Sequence, residues 1–461
     1  MFSKKAILAS VGLASTLVLV ACGAGNQGPA TEGPATAPEQ PAVQAPALPE
    51  VGEAREVVEI TFWHSMTGPH ADAVQNMVDA FHAQNPYVIV HHQHQGSYPD
   101  LNNALTAGFS AGTAPTLTQS TPGGIINYTG YGFIVPLNDF FEASFTEAEM
   151  ADIVHLDIRN THDGVIWSSP FGISTRVLFY NRDILDEFGL DVPQTWDDVR
   201  HIAELTTTDT RWGMGWENSF WTEFVGMMAQ VGGVYVDEAT ATAQFHSPEG
   251  IEVLGFIYDM VDEGLSRRAG EDGFMSGVFG SGVVTMNIGS SAGLPHVTNA
   301  VNDSFNWGTA PMPGTATDDG ISRATLFAGN DIAIIAPAAS GATDEQIIGA
   351  WEFIEFSLRP EVSAQWANDS GYIPNRYSAN DLLLRTEFVA ANPTHEAASL
   401  QAPYGVYVAR LFGMSAVNNQ AVNNYFQQVI PAVGVPSLMS VEEGLSRAQT
   451  LANELLADAN R

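Results

Sequence analysis

The alternation of short apolar runs with helix-period segments between residues 58 and 120 constrains this chain more than any other feature. Val58, Ile60 and Phe62 alternate with polar neighbours as a half-buried strand does, and the run ends on Trp63, His64 and Ser65. Val74, Met77, Val78 and Phe81 then fall at i, i+3, i+4 and i+7, one face of an amphipathic helix that Asn85-Pro86 stops. Tyr87 to Val90 reads as a second strand running into His91, His92 and His94. Leu101, Leu105 and Phe109 mark a second helix ending at Gly112, and Thr116 to Gln119 a third strand. Strand, helix, strand, helix, strand is the order of a parallel sheet with crossover helices. Such sheets hold small ligands at the carboxyl ends of their strands. Trp63 and His64 therefore stand on a candidate binding edge, although a tryptophan there also fits plain core packing.

The same order resumes downstream. Val165-Ile166-Trp167 leads through Pro170-Phe171-Gly172 to an apolar run at Val177 to Tyr180, followed by a helix carrying Leu185 and Phe188. Thr195 suits the N-cap of a helix beginning at Trp196. Val283 to Ile288 and Asp331 to Ile335 read as further strands. Ser440 with Glu443 forms a capping box that opens a last helix with Val441, Leu445, Ala448 and Leu451 near one face. A chain of 461 residues can bury a core large enough for two lobes. The predicted class is α/β with two lobes, the chain crossing between them more than once. No internal repeat is present.

The first residues belong to another category. Lys4-Lys5 and the apolar run Ala6 to Val20 form a signal peptide, residues 1–21, too short for a comfortable membrane span. Leu19-Val20-Ala21-Cys22 resembles a bacterial lipobox, which makes Cys22 the lipidation site and places the protein, after export, on the outer face of the cytoplasmic membrane. Cys22 is the only cysteine, so no disulfide framework and no cysteine-based metal site exist. Residues 22–56 are rich in Gly, Pro, Ala, Gln and Glu without apolar periodicity and read as a flexible tether.

Acids outnumber bases 52 to 17, and both lysines lie in the signal segment; the chain beyond it carries 15 arginines against 52 acids, a net charge near −37. Such a surface repels nucleic acid and anionic lipid, and no basic stripe draws either.

Three constellations suggest chemistry. Gly289-Ser290-Ser291-Ala292-Gly293 matches G-x-S-x-G after a strand, the nucleophile elbow of α/β-hydrolases, with Ser291 as nucleophile. Leu294-Pro295 suits poorly the long helix an elbow needs, no HGGG-type oxyanion segment precedes it, and neither His296 nor His395 stands in a recognisable triad setting. On a strand, His92 and His94 would share a face and offer two metal ligands, but no matching carboxylate or HExxH accompanies them; no metal or other cofactor is expected. The third is an aromatic set, Trp63, Tyr98, Trp196, Trp216, Trp221, Tyr372 and Tyr404. Aromatic faces stack on sugar C–H surfaces while hydroxyls and amides bond ring substituents.

Ile60-Thr61-Phe62-Trp63-His64-Ser65-Met66, Gly96-Ser97-Tyr98 and Ala111-Gly112-Thr113-Ala114-Pro115 resemble the extracellular solute-binding proteins of ABC importers (family 1), closest to the branch that binds sn-glycerol-3-phosphate. Leu178 to Asp183, Pro193 to Asp198 and Ser370-Gly371-Tyr372-Ile373-Pro374 continue the likeness over roughly residues 58 to 460. The resemblance implies a type II periplasmic-binding-protein fold: lobe I from 58–173 and 330–376, lobe II from 177–325 and 378–461, closing on one solute without chemistry. It implies a monomer that delivers this solute to a permease heterodimer with a cytoplasmic ATPase. Residue by residue, the branch's ligand positions fall on Tyr98, Ser174, Ser290, Gly329 and Tyr372. Two matches fail: its acidic position falls at Thr121 or Pro122, and its ligand arginine near Asn418 or Asn419. A pocket without that arginine should bind a phosphomonoester weakly, unless Arg176 or Arg410 substitutes. The expected solute is a neutral carbohydrate or polyol, with glycerol-3-phosphate or a glycerophosphodiester second.

Overall fold

The computed structural model describes residues 45–48, 55–270 and 273–460. The signal segment, Cys22 and most of the tether lie outside the described residues. Among those described, no helix is long and apolar enough to cross a membrane.

The first half forms as its periodicity predicts. Strand Val58–His64 buries Ile60, Phe62 and His64 on one face. It runs parallel to Val88–His94, with Val58 opposite Val88 and His64 opposite His94, and on its other side to Leu117–Ser120. The intervening helix Pro69–His82 buries Val74, Met77, Val78 and Phe81. Helix Tyr98–Ala111 starts on a capping box between Ser97 and Asp100 and ends where Gly112 turns left-handed at φ 68°. Phe62, Phe353 and Trp351 anchor the core here; each such ring is worth roughly 1.5–3 kcal/mol of burial.

The second half departs from the expected parallel sheet. The 13-residue strand Ser169–Asn181 is buried at every position. Its first part, Ser169 to Thr175, pairs antiparallel with strand Thr325–Ile334. Its last part lies between strands Val284–Ser290 and Trp307–Pro311, both antiparallel to it. Strands Trp212–Trp216 and Ser266–Arg268 extend that side in parallel. One ten-stranded mixed sheet results, carried from one lobe into the other by the two crossing strands. A strand that leaves one lobe must be matched by one that returns, and a returning neighbour is antiparallel.

The crossing strand begins eight residues before the apolar run Val177–Tyr180, because Pro170 and Gly172 look like breakers in one dimension. Pro170 is accommodated by a register shift opposite Asn330 and Asp331, the setting in which a strand tolerates proline. The second core gathers Trp196, Trp216, Phe224, Phe245 and Phe426, and is closed by the last helix, Val441–Ala459, whose capping Ser440 accepts the Glu443 N–H.

Candidate functional site

Alternation along the crossing strand places Gly172, Ser174 and Arg176 on one face. About four residues at ~3.3 Å each separate its ends by roughly 13 Å. The polar groups around this face differ at its two ends.

At the Gly172 end the hydrogen-bonded network is neutral and stands beside a buried ion pair, Arg159 with Asp331 at 2.6 Å, whose arginine also donates to the Ala328 carbonyl at 3.2 Å and leaves its Nη2 without a partner among the described residues. Tyr98 Oη accepts N–H bonds from Gln119 Nε2 at 3.1 Å and Asn330 Nδ2 at 3.3 Å. Asn330 Nδ2 also donates to Tyr372 Oη at 3.2 Å, and that hydroxyl lies 3.9 Å from Met66 Sδ. Gln119 Oε1 takes the Ser65 backbone N–H at 2.8 Å, tying the Trp63-His64-Ser65 strand end into the network. The Tyr98 oxygen accepts two N–H groups, and its own proton has no acceptor among the described residues. Tyr98 as a residue is 37% exposed, while burial around the hydroxyl pushes its pKa up to about 12 and that of Tyr372 well above the ordinary phenol value. Both are neutral donors at physiological pH. Ser65 Oγ and Asn330 Oδ1 are buried without a partner among the described residues.

Two glycines permit this packing. A Cβ on Gly172 would stand 2.7 Å from Asn330 Nδ2 and 2.9 Å from the Tyr372 ring. Gly329, at φ 107°, would put a Cβ 1.9 Å from the Gly172 carbonyl oxygen. Gly329 therefore acts by letting the two crossing strands approach. Ser174, paired opposite Ala328, has a hydroxyl without a hydrogen-bond partner among the described residues.

At the other end the groups are charged and paired in charge, although Arg176 Nε is buried without a hydrogen-bond partner among the described residues. Arg176 is buried, its Nη2 donating to Glu217 at 2.6 Å and to Glu223. Burial alone would lower the arginine's pKa, but the two carboxylates hold it above its usual value. Thr222 donates a further hydrogen bond to Glu223 at 2.8 Å. Ser290 pairs with Arg176 across the sheet, and its hydroxyl accepts the Ala292 N–H.

The remaining expected residues disperse. Trp63 is half-buried, its indole N–H on Gln93 at 3.0 Å. His64 is buried and bonded to His92 at 3.0 Å. Burial, then His92 and His94, pull its pKa down to about 4, so it is neutral. Trp196 and Trp216 belong to the second core, their N–H groups taken by Gln230 at 2.8 Å and Ser266 at 3.0 Å. Trp221 packs half-buried against that core, beside the charged cluster in sequence. Asn418 is buried, accepting from Tyr235 Oη at 2.8 Å, whereas Asn419 is exposed. Thr121 caps helix Pro122–Thr129 through the Gly124 N–H. Arg410 is spent on the Thr161 carbonyl at 3.0 Å and on Glu238 at 3.5 Å. Gln119, Asn330, Glu217 and Glu223 escaped sequence reasoning; Asn330 alone carried a signal, its place beside Gly329.

Ser291 does not form an elbow. It is fully buried, its Oγ accepts the Thr175 N–H at 3.3 Å, and only the eight-residue helix Leu294–Val301 comes after it. No histidine among the described residues bonds it. His92 meets His64 and Gln75, His91 meets Glu59, and no group of three or more metal-ligating side chains is assembled among the described residues.

Comparisons agree with this architecture. The family model for bacterial extracellular solute-binding proteins matches residues 76–397. The sn-glycerol-3-phosphate-binding periplasmic protein UgpB of Escherichia coli (strain K12) is 27% identical over 366 residues, 76% of this chain and 82% of that protein. Among solved structures, UgpB from Mycobacterium tuberculosis in complex with glycerophosphocholine superposes with a TM-score of 0.77 at 21% identity, covering 88% of this chain and all of that one. The acarbose-binding GacH receptor of Streptomyces glaucescens GLA.O gives 0.75 at 19% identity, again over 88% of this chain and 100% of that one. These likenesses establish the two-lobed type II periplasmic-binding-protein fold, and the chain belongs to the bacterial extracellular solute-binding proteins.

Proposed function

We propose that this solute-binding protein captures a neutral sugar or polyol on the Gly172–Arg176 strand face, between residues 58–173 with 330–376 and residues 177–325 with 378–461. The observation that carries this reading is the division of that face. Its Gly172 end offers neutral phenol, amide and serine groups, while the two arginines near the face are already paired with carboxylates, Arg176 with Glu217 and Glu223 and Arg159 with Asp331. A phosphate dianion placed there would find each nearby arginine already paired and would meet the carboxylates that pair them, an unfavourable burial. Solute touching both lobes shifts the population toward the closed form. The closed form docks on an ABC permease pair whose ATPase lies in the cytoplasm, without chemical change of the solute. Lipidation at Cys22 holds the exported monomer at the membrane and raises its concentration near the permease.

A second reading is a glycerophosphodiester or glycerol-3-phosphate, favoured by the 27% identity to sn-glycerol-3-phosphate-binding proteins. A melting-temperature screen of sugars, polyols and their phosphates separates the two, because a ligand that binds only the folded state raises stability. The largest shift should come from a neutral compound. A larger shift with glycerol-3-phosphate or glycerophosphocholine overturns the neutral-solute reading. Loss of an ester-cleaving activity in Ser291→Ala, with solute binding intact, would overturn the binding-only reading.

A further inference from the structure

Four arginines are buried among the described residues: Arg159, Arg176, Arg376 and Arg385. Three have carboxylates in contact. Arg159 meets Asp331 at 2.6 Å, Arg376 meets Asp152 at 2.7 Å, and Arg176 holds Glu217 and Glu223. Arg385 has none. Only 3% exposed, it donates through Nη1 to the neutral Asn368 Oδ1 at 2.9 Å, and its Nε is buried without a hydrogen-bond partner. In a chain with 52 acidic residues a carboxylate partner is the common solution, and a buried charge left without one is costly.

Arg385 lines a cavity of about 560 Å³, within the range that holds a small organic molecule. Val154, Phe327, Ile373 and Val389 supply apolar walls. Burial lowers the arginine's pKa to about 10, so it remains a cation at neutral pH. The neighbouring His395 is neutral: burial, then Arg385, pull it down to about 4. Its Nδ1 is likewise buried without a partner among the described residues. Glu396 also lines the cavity but makes no ion pair with Arg385, and its negative charge disfavours a dianion. None of the lining residues belongs to the Gly172–Arg176 face or its network.

We propose that this cavity is a second binding site, which takes a small organic monocarboxylate with an apolar body. The carboxylate pairs with Arg385 and the body packs on Val154, Phe327, Ile373 and Val389. The site does not depend on which solute the cleft binds.

Hexanoate and its neutral counterpart 1-hexanol are suitable probes, titrated calorimetrically into the full chain. Wild type should bind one hexanoate at least tenfold more tightly than hexanol. Arg385→Gln should lose that tenfold preference while keeping its affinity for hexanol. Val389→Trp, which keeps the arginine and fills the cavity, should lose hexanoate binding. Equal binding of the two probes by wild type overturns the proposal, as does hexanoate binding unchanged in Arg385→Gln. If Arg385→Gln does not fold, Val389→Trp decides, and undiminished hexanoate binding there overturns the site.

Discussion

The two ends of the crossing-strand face solve the burial of polar groups in opposite ways. Around Gly172, Tyr98, Gln119, Asn330 and Tyr372 share neutral hydrogen bonds and leave hydroxyl and amide capacity over. Around Arg176, three charges close on one another, so the charge is paired even though Arg176 Nε keeps no hydrogen-bond partner among the described residues. The contrast teaches that a buried cation whose charge is already paired is a poor candidate for a recognition group. Surplus capacity, and not charge, marks where a ligand would bind.

The strongest way to break this comparison is to remove the charge at the satisfied end. Arg176→Leu leaves Glu217 and Glu223 buried against each other and should destabilise the fold by roughly 3–5 kcal/mol in urea titration. Retained stability with abolished solute binding would show that Arg176 recognises the solute after all.

The neutral end can be broken by acid. His64 has a folded pKa near 4 against 6.5 for the free side chain. Above pH 6.5 both states are neutral and the group contributes no pH dependence. Between pH 6.5 and 4 the unfolded state takes up the proton that the folded state refuses, so stability falls with pH across that window. The loss is on the order of 3 kcal/mol by the bottom of the window. Denaturation of wild type and His64→Gln at pH 7 and pH 4.5 should show a shallower decline in the variant.

The junction between the ends is tested by Gly329→Ala. The left-handed φ of 107° and the 1.9 Å approach to the Gly172 carbonyl predict a loss of roughly 1–3 kcal/mol from backbone strain, read as a lower melting temperature. An unchanged melting point would mean that the strands separate without penalty.

The smallest effect sharpens the comparison. Tyr98→Phe removes a hydroxyl from the neutral network and should weaken solute binding by roughly 1 kcal/mol. Stability should change less, since Asn330 Nδ2 keeps Tyr372 as an acceptor and the residue is 37% exposed. Equal losses in binding and stability would make Tyr98 a structural residue only.

Several elements were legible in one dimension. The spacing of Val74, Met77, Val78 and Phe81 predicted the buried face of helix Pro69–His82, and Thr195 its capping role before Trp196. The family positions Tyr98 and Tyr372 do meet, through Asn330. Other aromatics were ambiguous because a tryptophan serves a core and a sugar platform equally well. Trp216 proved to be core, fully buried with its N–H on Ser266.

Periodicity and capping are local, and local rules are printed in the order of residues. They determined the helices Pro69–His82, Tyr98–Ala111, Arg182–Phe188, Trp196–Thr206 and Val441–Ala459, the first three strands and the α/β class. The partners of Arg176, at positions 217 and 223, and of Tyr98, at 119 and 330, come from distant segments. The antiparallel return of Thr325–Ile334 along Ser169–Asn181 brings Asn330 beside Gly172, while Trp212–Trp216 and its following turn carry Glu217 toward Arg176. Only the tertiary structure decided which polar groups are satisfied and which have capacity to spare, because satisfaction depends on neighbours in space.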